Sequence, residues 1–344
     1  MSLKNLKVEY IEDELAVELL KRYPLYKRGF VKVGQKQWFV SYKFFEEGDN
    51  IYDFKVRPDD TWIVTHSRSA ELHSCTLGTR HGTTSTTVTQ ELVWLVANDM
   101  NFEEAYRRHL VERFPLIELG AMIEDHMAPK NLPDRTNTKK YNEKYSVEFV
   151  QNQPSPRFIK SHLPLELLPT VVNSTCKIIY VARNPRDVVV SWYIFHKTMD
   201  WYQGSFAQFC NNFINNQTLS SPYWEHVKEA WAMRHRANMM FLFYEDLVKD
   251  LPKNIRKIAA FFGKNYSDEQ MAKLAEHLKI ENFRKNRMVN QPSPNDTIKS
   301  ELFVRQGKIG GWKDMFTPEI EEKFSKWIAD NLKDTDLTFP SLLQ

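Results

Sequence analysis

Four short apolar runs stand out along this chain, each bounded by polar or proline-bearing sequence: residues 61–65 (TWIVT), 157–161 (RFIKS), 176–182 (CKIIYVA) and 239–244 (MMFLFY). They are short, rich in β-branched and aromatic residues, and apolar at successive positions, which predicts strands buried on both faces. Helical periodicity marks other segments. One is the mixed-charge stretch 12–21. Another starts at Thr89 and carries Glu91, Leu92, Trp94 and Leu95, and a third starts at Asn184-Pro185 and carries Val188, Val189, Trp192 and Tyr193. Two more open at Glu245-Asp246 and at Thr317-Pro318, the second running to residue 332. Proline early in a helix is tolerated because its missing N–H would have no partner there. Apolar strands alternating with amphipathic helices predict an α/β fold with a central parallel β-sheet flanked by helices. Residues 23–52 read as a polar, aromatic stretch, 66–88 as a long polar loop, and 128–156, with four prolines, as a surface excursion. No repeat divides the chain, so residues 1–344 are expected to form a single domain.

Composition narrows the function classes. The 47 Lys and Arg against 44 Asp and Glu leave a net charge of +3 over 344 residues, far from the basic footprint of a general nucleic-acid binder. No apolar run reaches the roughly eighteen residues of a membrane span, and the charged first residues lack the apolar core of a secretory signal. The expectation is a cytoplasmic protein with no membrane partner. Three widely spaced cysteines, Cys75, Cys176 and Cys210, give neither a disulfide framework nor metal-ligand spacing, so no metal is expected. Without an export signal, the glycosylation-type triplets at Asn173, Asn216, Asn265 and Asn295 are chance matches.

In open parallel sheets ligands sit beyond the carboxyl ends of the strands. Those ends carry Thr65 with the long loop, Ser161-His162, Arg183-Asn184 and Tyr244. Basic, hydroxyl and imidazole groups gathered there suit a phosphorylated ligand and an acid/base step. Neither GxxxxGK[ST] nor GxGxxG after a strand is present, which disfavours a nucleotide kinase. Gly307, Gly310 and Gly311, preceded by Arg305, form a late glycine cluster, readable as a plain turn or as a phosphate-binding loop.

Four motifs in order, KSHLPLELLP (160–169), YVARNPRDVVVSW (180–192), FLFYEDL (241–247) and RQGKIGGWKDMFT (305–317), resemble the cytosolic sulfotransferase family over nearly the whole chain. The resemblance implies a single-domain, P-loop-NTPase-like sulfotransferase fold. It also implies 3′-phosphoadenosine 5′-phosphosulfate as co-substrate and a small apolar hydroxyl-bearing acceptor such as a phenol, steroid or other alcohol. Residue by residue, it implies His162 as the base taking the acceptor proton and Lys160 as a cation near the transferring group. Arg183 and Ser191 would grip the 3′-phosphate, Tyr244 would touch the adenine, and Arg305 and Gly307 would form the late phosphate loop. Gln306 replaces a second basic residue there. Arg186 reads as an ordinary helix-surface cation, and Ile280 as an apolar contact for the base. A dimer motif of the family is matched by Lys313, Thr317 and Glu322, which implies a homodimer; helix initiation is the competing reading of Thr317-Pro318.

One departure is sharp. The family follows its first strand with TYPKSGTTW and begins the next helix with TQE. Here the intervening loop is about fifteen residues longer than such units usually allow, and no lysine occurs between Lys55 and Lys130. Anchoring on the strand puts Arg68 at the lysine position; anchoring on the helix makes Thr86-Thr87-Val88 the end of the motif. Anchoring on Gly82-Thr83-Thr84 puts Arg80 there and keeps the hydroxyl pair beside the helix, and it is preferred. Arginine retains the charge but is a broad fork, whereas lysine is a compact point charge able to act as an acid. Two readings stay open: an active sulfotransferase, or a nucleotide-binding, dimerising relative that has lost catalysis.

Overall fold

The computed structural model describes residues 2–67, 85–122, 146–289 and 309–340. Its centre is a parallel sheet of β4 (Thr61–Val64), β5 (Phe158–Ser161), β6 (Lys177–Ala182) and β7 (Met239–Phe243), in the spatial order β5-β4-β6-β7. In register, Val64 lies beside Ser161 on one side and Tyr180 on the other. The chain passes from β4 to one neighbour and then crosses back to the other, so the carboxyl end of β4 is a topological switch point, where open sheets leave a crevice.

Alternation along the strands splits the core into two layers. Trp62, Val64, Ile159, Ile178, Tyr180 and Ala182 enter one apolar cluster. Ile63, Phe158, Ile179 and Val181 enter the other, on the opposite face. A period of two with both faces covered is why these strands read as unbroken apolar runs. The helices include α1 (Asp13–Arg22), α2 (Ser85–Ala97), α3 (Pro185–Thr198), α4 (Tyr223–Ala232), α5 (Tyr244–Lys249) and α6 (Pro318–Leu332). Asn184 caps α3 by accepting the Arg186 amide, and Thr317 caps α6 by accepting the Ile320 amide.

Two sequence expectations need correction. Residues 23–52 are not merely a polar stretch: they supply β2 (Phe30–Val33) and β3 (Trp38–Ser41), which with β1 (Val8–Tyr10) form an antiparallel sheet. The hairpin turns at Gly34, whose φ of +80° favours glycine. The described part of helix α2 starts at Ser85, so the helix already includes the four residues before Thr89. Within the proline-bearing excursion, the described part holds a short helix, Val147–Gln151, capped by Ser146.

A buried ion pair fastens the amino ends of the sheet. Asp60, just ahead of β4, accepts the Arg57 amide at 2.8 Å and the Arg157 Nε–H at 2.8 Å, with both charged side chains nearly fully buried. Replacing Asp60 by Ala would strand the Arg157 charge, and we expect a loss of about 3–5 kcal/mol. Urea unfolding measures it, and a loss below about 1 kcal/mol would contradict the assigned role.

Candidate active site

Beyond Ser161 the chain leaves the sheet, and His162 is the first residue past the strand. Its ring is buried with Nδ1 at 3.0 Å from the Thr65 carbonyl oxygen and 3.1 Å from Thr65 Oγ1. A carbonyl can only accept, so Nδ1 carries the proton and Nε2 keeps the lone pair. Burial and then the neighbouring Lys160 cation hold the imidazole well below its usual pKa. Lys160 is itself buried, two residues earlier in β5, and strand periodicity directs it to the sheet face that Phe158 shares. Its backbone is bracketed by Pro115, whose carbonyl accepts the Lys160 amide at 2.9 Å, and by the Ile117 amide, which donates to the Lys160 carbonyl at 3.0 Å.

That arrangement delivers Glu118 to the site. Its Oε1 accepts the His162 backbone N–H at 2.6 Å while burial pushes its carboxyl up to about 7. No sequence pattern marks Glu118, which lies 44 residues from its partner. Two further histidines line the same region. His66 donates from Nδ1 to the Ser67 carbonyl, and its buried Nε2 has no partner among the described residues. His226 on α4 donates from Nε2 to the His162 carbonyl at 3.1 Å.

At the carboxyl end of β6, the half-buried Arg183 lies over the Tyr244 ring, 4.7 Å from its centroid, and its buried Nε has no partner among the described residues. Tyr244 opens α5 directly after β7. The next residue, Glu245, accepts the Asn184 amide at 2.8 Å, and burial raises its carboxyl to about 7. Ser191, half-buried on α3, sits one turn beyond Asp187 on the same helix face. Asp187 accepts the amides of Gly310 at 2.9 Å and Trp312 at 3.3 Å, so the late glycine cluster is tied to the first turn of α3. Gly310 has a φ of +80°, the conformation of a turn.

His162, Arg183 and Tyr244 each directly follow a strand at the carboxyl end of the parallel sheet, Lys160 lies within β5, and Ser191 lies in the second turn of α3. Arg68, Arg80, Gly82, Thr83, Thr84, Arg305 and Gly307 lie outside the described residues, as do the side chains of Thr86 and Ile280.

With this geometry in view, a family model described as a sulfotransferase domain matches residues 82–336. The chain belongs to the sulfotransferase family. Mouse sulfotransferase 4A1 is 32% identical over 294 residues, 85% of this chain and 86% of that one. The luciferin sulfotransferase of Photinus pyralis is 30% identical over 320 residues, covering 88% of this chain and 80% of that protein. Among solved structures, retinol dehydratase with retinol and PAP superposes with a TM-score of 0.84 at 34% identity, covering 98% of this chain and 99% of the other. The same protein with androsterone and inactive cofactor PAP gives 0.83 at 33%, covering 98% of both chains. The sulfotransferase fold, α/β with a parallel four-stranded sheet, is therefore the one expected from the sequence.

Other candidates have visible local roles. Arg186 bonds Glu321 and Ser325 of α6 and stacks over Trp312, so it fastens α3 to the final helix. Thr317 initiates α6, the competing reading noted for its motif, while Lys313, Thr317 and Glu322 are all exposed.

The raised carboxyl of Glu118 has a sign that can be tested. Its folded pKa of about 7 exceeds the ordinary 4.5. The stability linked to its bound proton is thus complete below about 4.5 and is lost as pH rises through about 7. Glu118→Gln keeps an oxygen for the His162 amide but has no proton to lose. Relative to the wild type, its unfolding free energy should rise between pH 5 and pH 8, by up to about 3 kcal/mol. Parallel stability curves for the two proteins would contradict this assignment.

Proposed function

We propose that this chain transfers a sulfuryl group from 3′-phosphoadenosine 5′-phosphosulfate to the hydroxyl of a small apolar acceptor. The observation that carries the reading is the 3.0 Å approach of His162 Nδ1 to the Thr65 carbonyl oxygen: an acceptor there commits the Nδ1–H and leaves Nε2 as a base at the switch point of a parallel sheet. In the reaction, Nε2 takes the acceptor's proton as its oxygen bonds to sulfur. The bridging S–O bond breaks, and 3′-phosphoadenosine 5′-phosphate departs with the electron pair. Lys160 supplies positive charge where the transferring group becomes more anionic.

Arg183 offers a planar fork of donors to the 3′-phosphate, with Ser191 adding a hydroxyl and the Tyr244 ring a face for the adenine. Arg305 and Gly307 precede the anchored Gly310 by five and three residues in sequence and complete the phosphate contacts. For the 5′-phosphosulfate, Arg80, Gly82, Thr83 and Thr84 stand immediately before α2. The family match begins at residue 82 and so takes in Gly82, Thr83 and Thr84, which supports this anchoring for the hydroxyl pair. Retinol dehydratase, the similar solved protein, is in complex with PAP and either retinol or androsterone, which favours a ring-bearing apolar alcohol as acceptor here. Lys313, Thr317 and Glu322 are exposed, which supports reading them as a contact with a second copy in a homodimer. The reading places the enzyme in the cytoplasm and requires no metal.

A second reading, a nucleotide-binding relative without turnover, is favoured by one observation, the lack of any lysine between Lys55 and Lys130. Calorimetry with 3′-phosphoadenosine 5′-phosphate and turnover with a panel of phenols, sterols and retinol separate the two. We expect binding and turnover in the wild type. Binding without turnover on the panel, with turnover gained when the loop is replaced by TYPKSGTTW, would establish the second reading. Arg183→Ala should weaken nucleotide binding at least tenfold, the loss of a charge-assisted contact worth about 1.5–3 kcal/mol. His162→Ala should keep binding and lose turnover by about a hundredfold or more.

A further inference from the structure

His162 is past the end of β5, so neither its N–H nor its C=O is held by the sheet. Both are captured by buried side chains. Glu118 Oε1 accepts the N–H at 2.6 Å, and His226 Nε2 donates to the C=O at 3.1 Å. His226 is in turn oriented from its other nitrogen, where Nδ1 lies 2.8 Å from the Tyr180 hydroxyl. The Tyr180 hydroxyl also donates to the His226 backbone carbonyl at 3.1 Å, so its one proton faces two acceptors of the same residue, that carbonyl and the neutral ring's Nδ1, and it holds His226 from both. Burial lowers the His226 pKa to about 4, so the ring stays neutral at working pH and its tautomer is fixed.

Tyr180 belongs to β6 and lies beside Val64 of β4. The relay therefore links the carboxyl end of β5, through His162, to β6, through Tyr180, across the intervening β4. Its members are fully or almost fully buried, so no water competes for these bonds. Aromatic edges close around it, with the His226 ring 6.1 Å from Trp38, 5.5 Å from His66 and 5.7 Å from Tyr180, centroid to centroid.

We infer that His226, oriented by Tyr180, is a positioning residue for His162. Its Nε2–H fixes the carbonyl of the base and so the direction in which the imidazole presents Nε2 to the acceptor hydroxyl. An aligned base within hydrogen-bond reach of its proton is what this kind of catalysis requires, and a displacement of about 1 Å costs up to about a hundredfold. This inference rests on the proposed role of His162 as the base.

The test compares His226→Ala, His226→Gln and Tyr180→Phe in the full chain, reading steady-state kinetics, affinity for 3′-phosphoadenosine 5′-phosphate, and the imidazole nitrogen resonances of His162. In His226→Ala we expect kcat to fall tenfold to a hundredfold, with nucleotide affinity and acceptor KM within about twofold. His226→Gln, whose amide N–H can reach the same carbonyl, should recover most of the loss. Tyr180→Phe, which keeps the ring volume, should cost roughly threefold to tenfold. The His162 nitrogen resonances should broaden or move toward a mixture of tautomers in the alanine variant and return in the glutamine variant. Should the alanine variant fail to fold, the glutamine and phenylalanine variants carry the test. An unchanged kcat in a folded His226→Ala, or a glutamine variant no better than alanine, would overturn the inference. If the wild type shows no turnover, the catalytic reading fails, whereas the positioning claim still stands or falls on the His162 resonances.

Discussion

A buried peptide group must have a partner, and where a strand stops inside the molecule the sheet no longer supplies one. This chain meets that demand repeatedly with buried carboxylates that accept backbone amides. Glu118 takes the amide of His162 past β5, and Glu245 takes that of Asn184 past β6. Asp187 takes those of Gly310 and Trp312, and Glu229 accepts the amides of Leu165 and Glu166 just after the base. Each such bond fixes one loop of the site against a rigid element, so the geometry at the sheet's end depends on a handful of acidic side chains more than on the loops' own preferences.

The same device has an electrostatic consequence. Burial lifts Glu118, Glu229 and Glu245 to about 7, so each carboxyl is only partly ionised near neutral pH. An acid group that keeps its acceptor oxygen while carrying little charge can hold an amide without cancelling a nearby cation. Glu118 lies close enough to Lys160, and Glu245 close enough to Arg183, for the cation to act on the carboxyl's ionisation.

What the sequence made legible follows from the range of the forces involved. The four parallel strands and the residue after each one are local consequences of apolar runs that end in polar groups, and His162, Arg183 and Tyr244 could be placed on that ground alone. Helix α3 was legible for the same reason, since Asn184 and Pro185 are capping signals within one turn. The hairpin of Phe30–Val33 and Trp38–Ser41 was missed, although VKVGQKQWFVS alternates around a glycine, because lysine and glutamine dilute the apolar signal. The start of α2 was set too late because apolar periodicity begins only after the hydroxyl-rich residues 85–87. Glu118, His226 and Asp187 were invisible for a different reason. Their partners stand 44, 64 and 123 residues away, and no local pattern encodes such distances.

The depressed pKa of His162 looks at first like a defect in a base, since a weaker base removes a proton less readily. Its causes say otherwise. After burial, the largest is the Lys160 cation, with His66 and His226 contributing less. On the proposed reaction, the anionic donor brings negative charge to Lys160 and offsets that cation's field at the imidazole. The proton affinity of Nε2 then rises when the donor is seated, while Nδ1 stays bound to the Thr65 carbonyl and the ring does not turn. Lys160 would thus do two things at once: it attracts the transferring group, and it keeps the neighbouring base neutral and its lone pair open until that group has arrived.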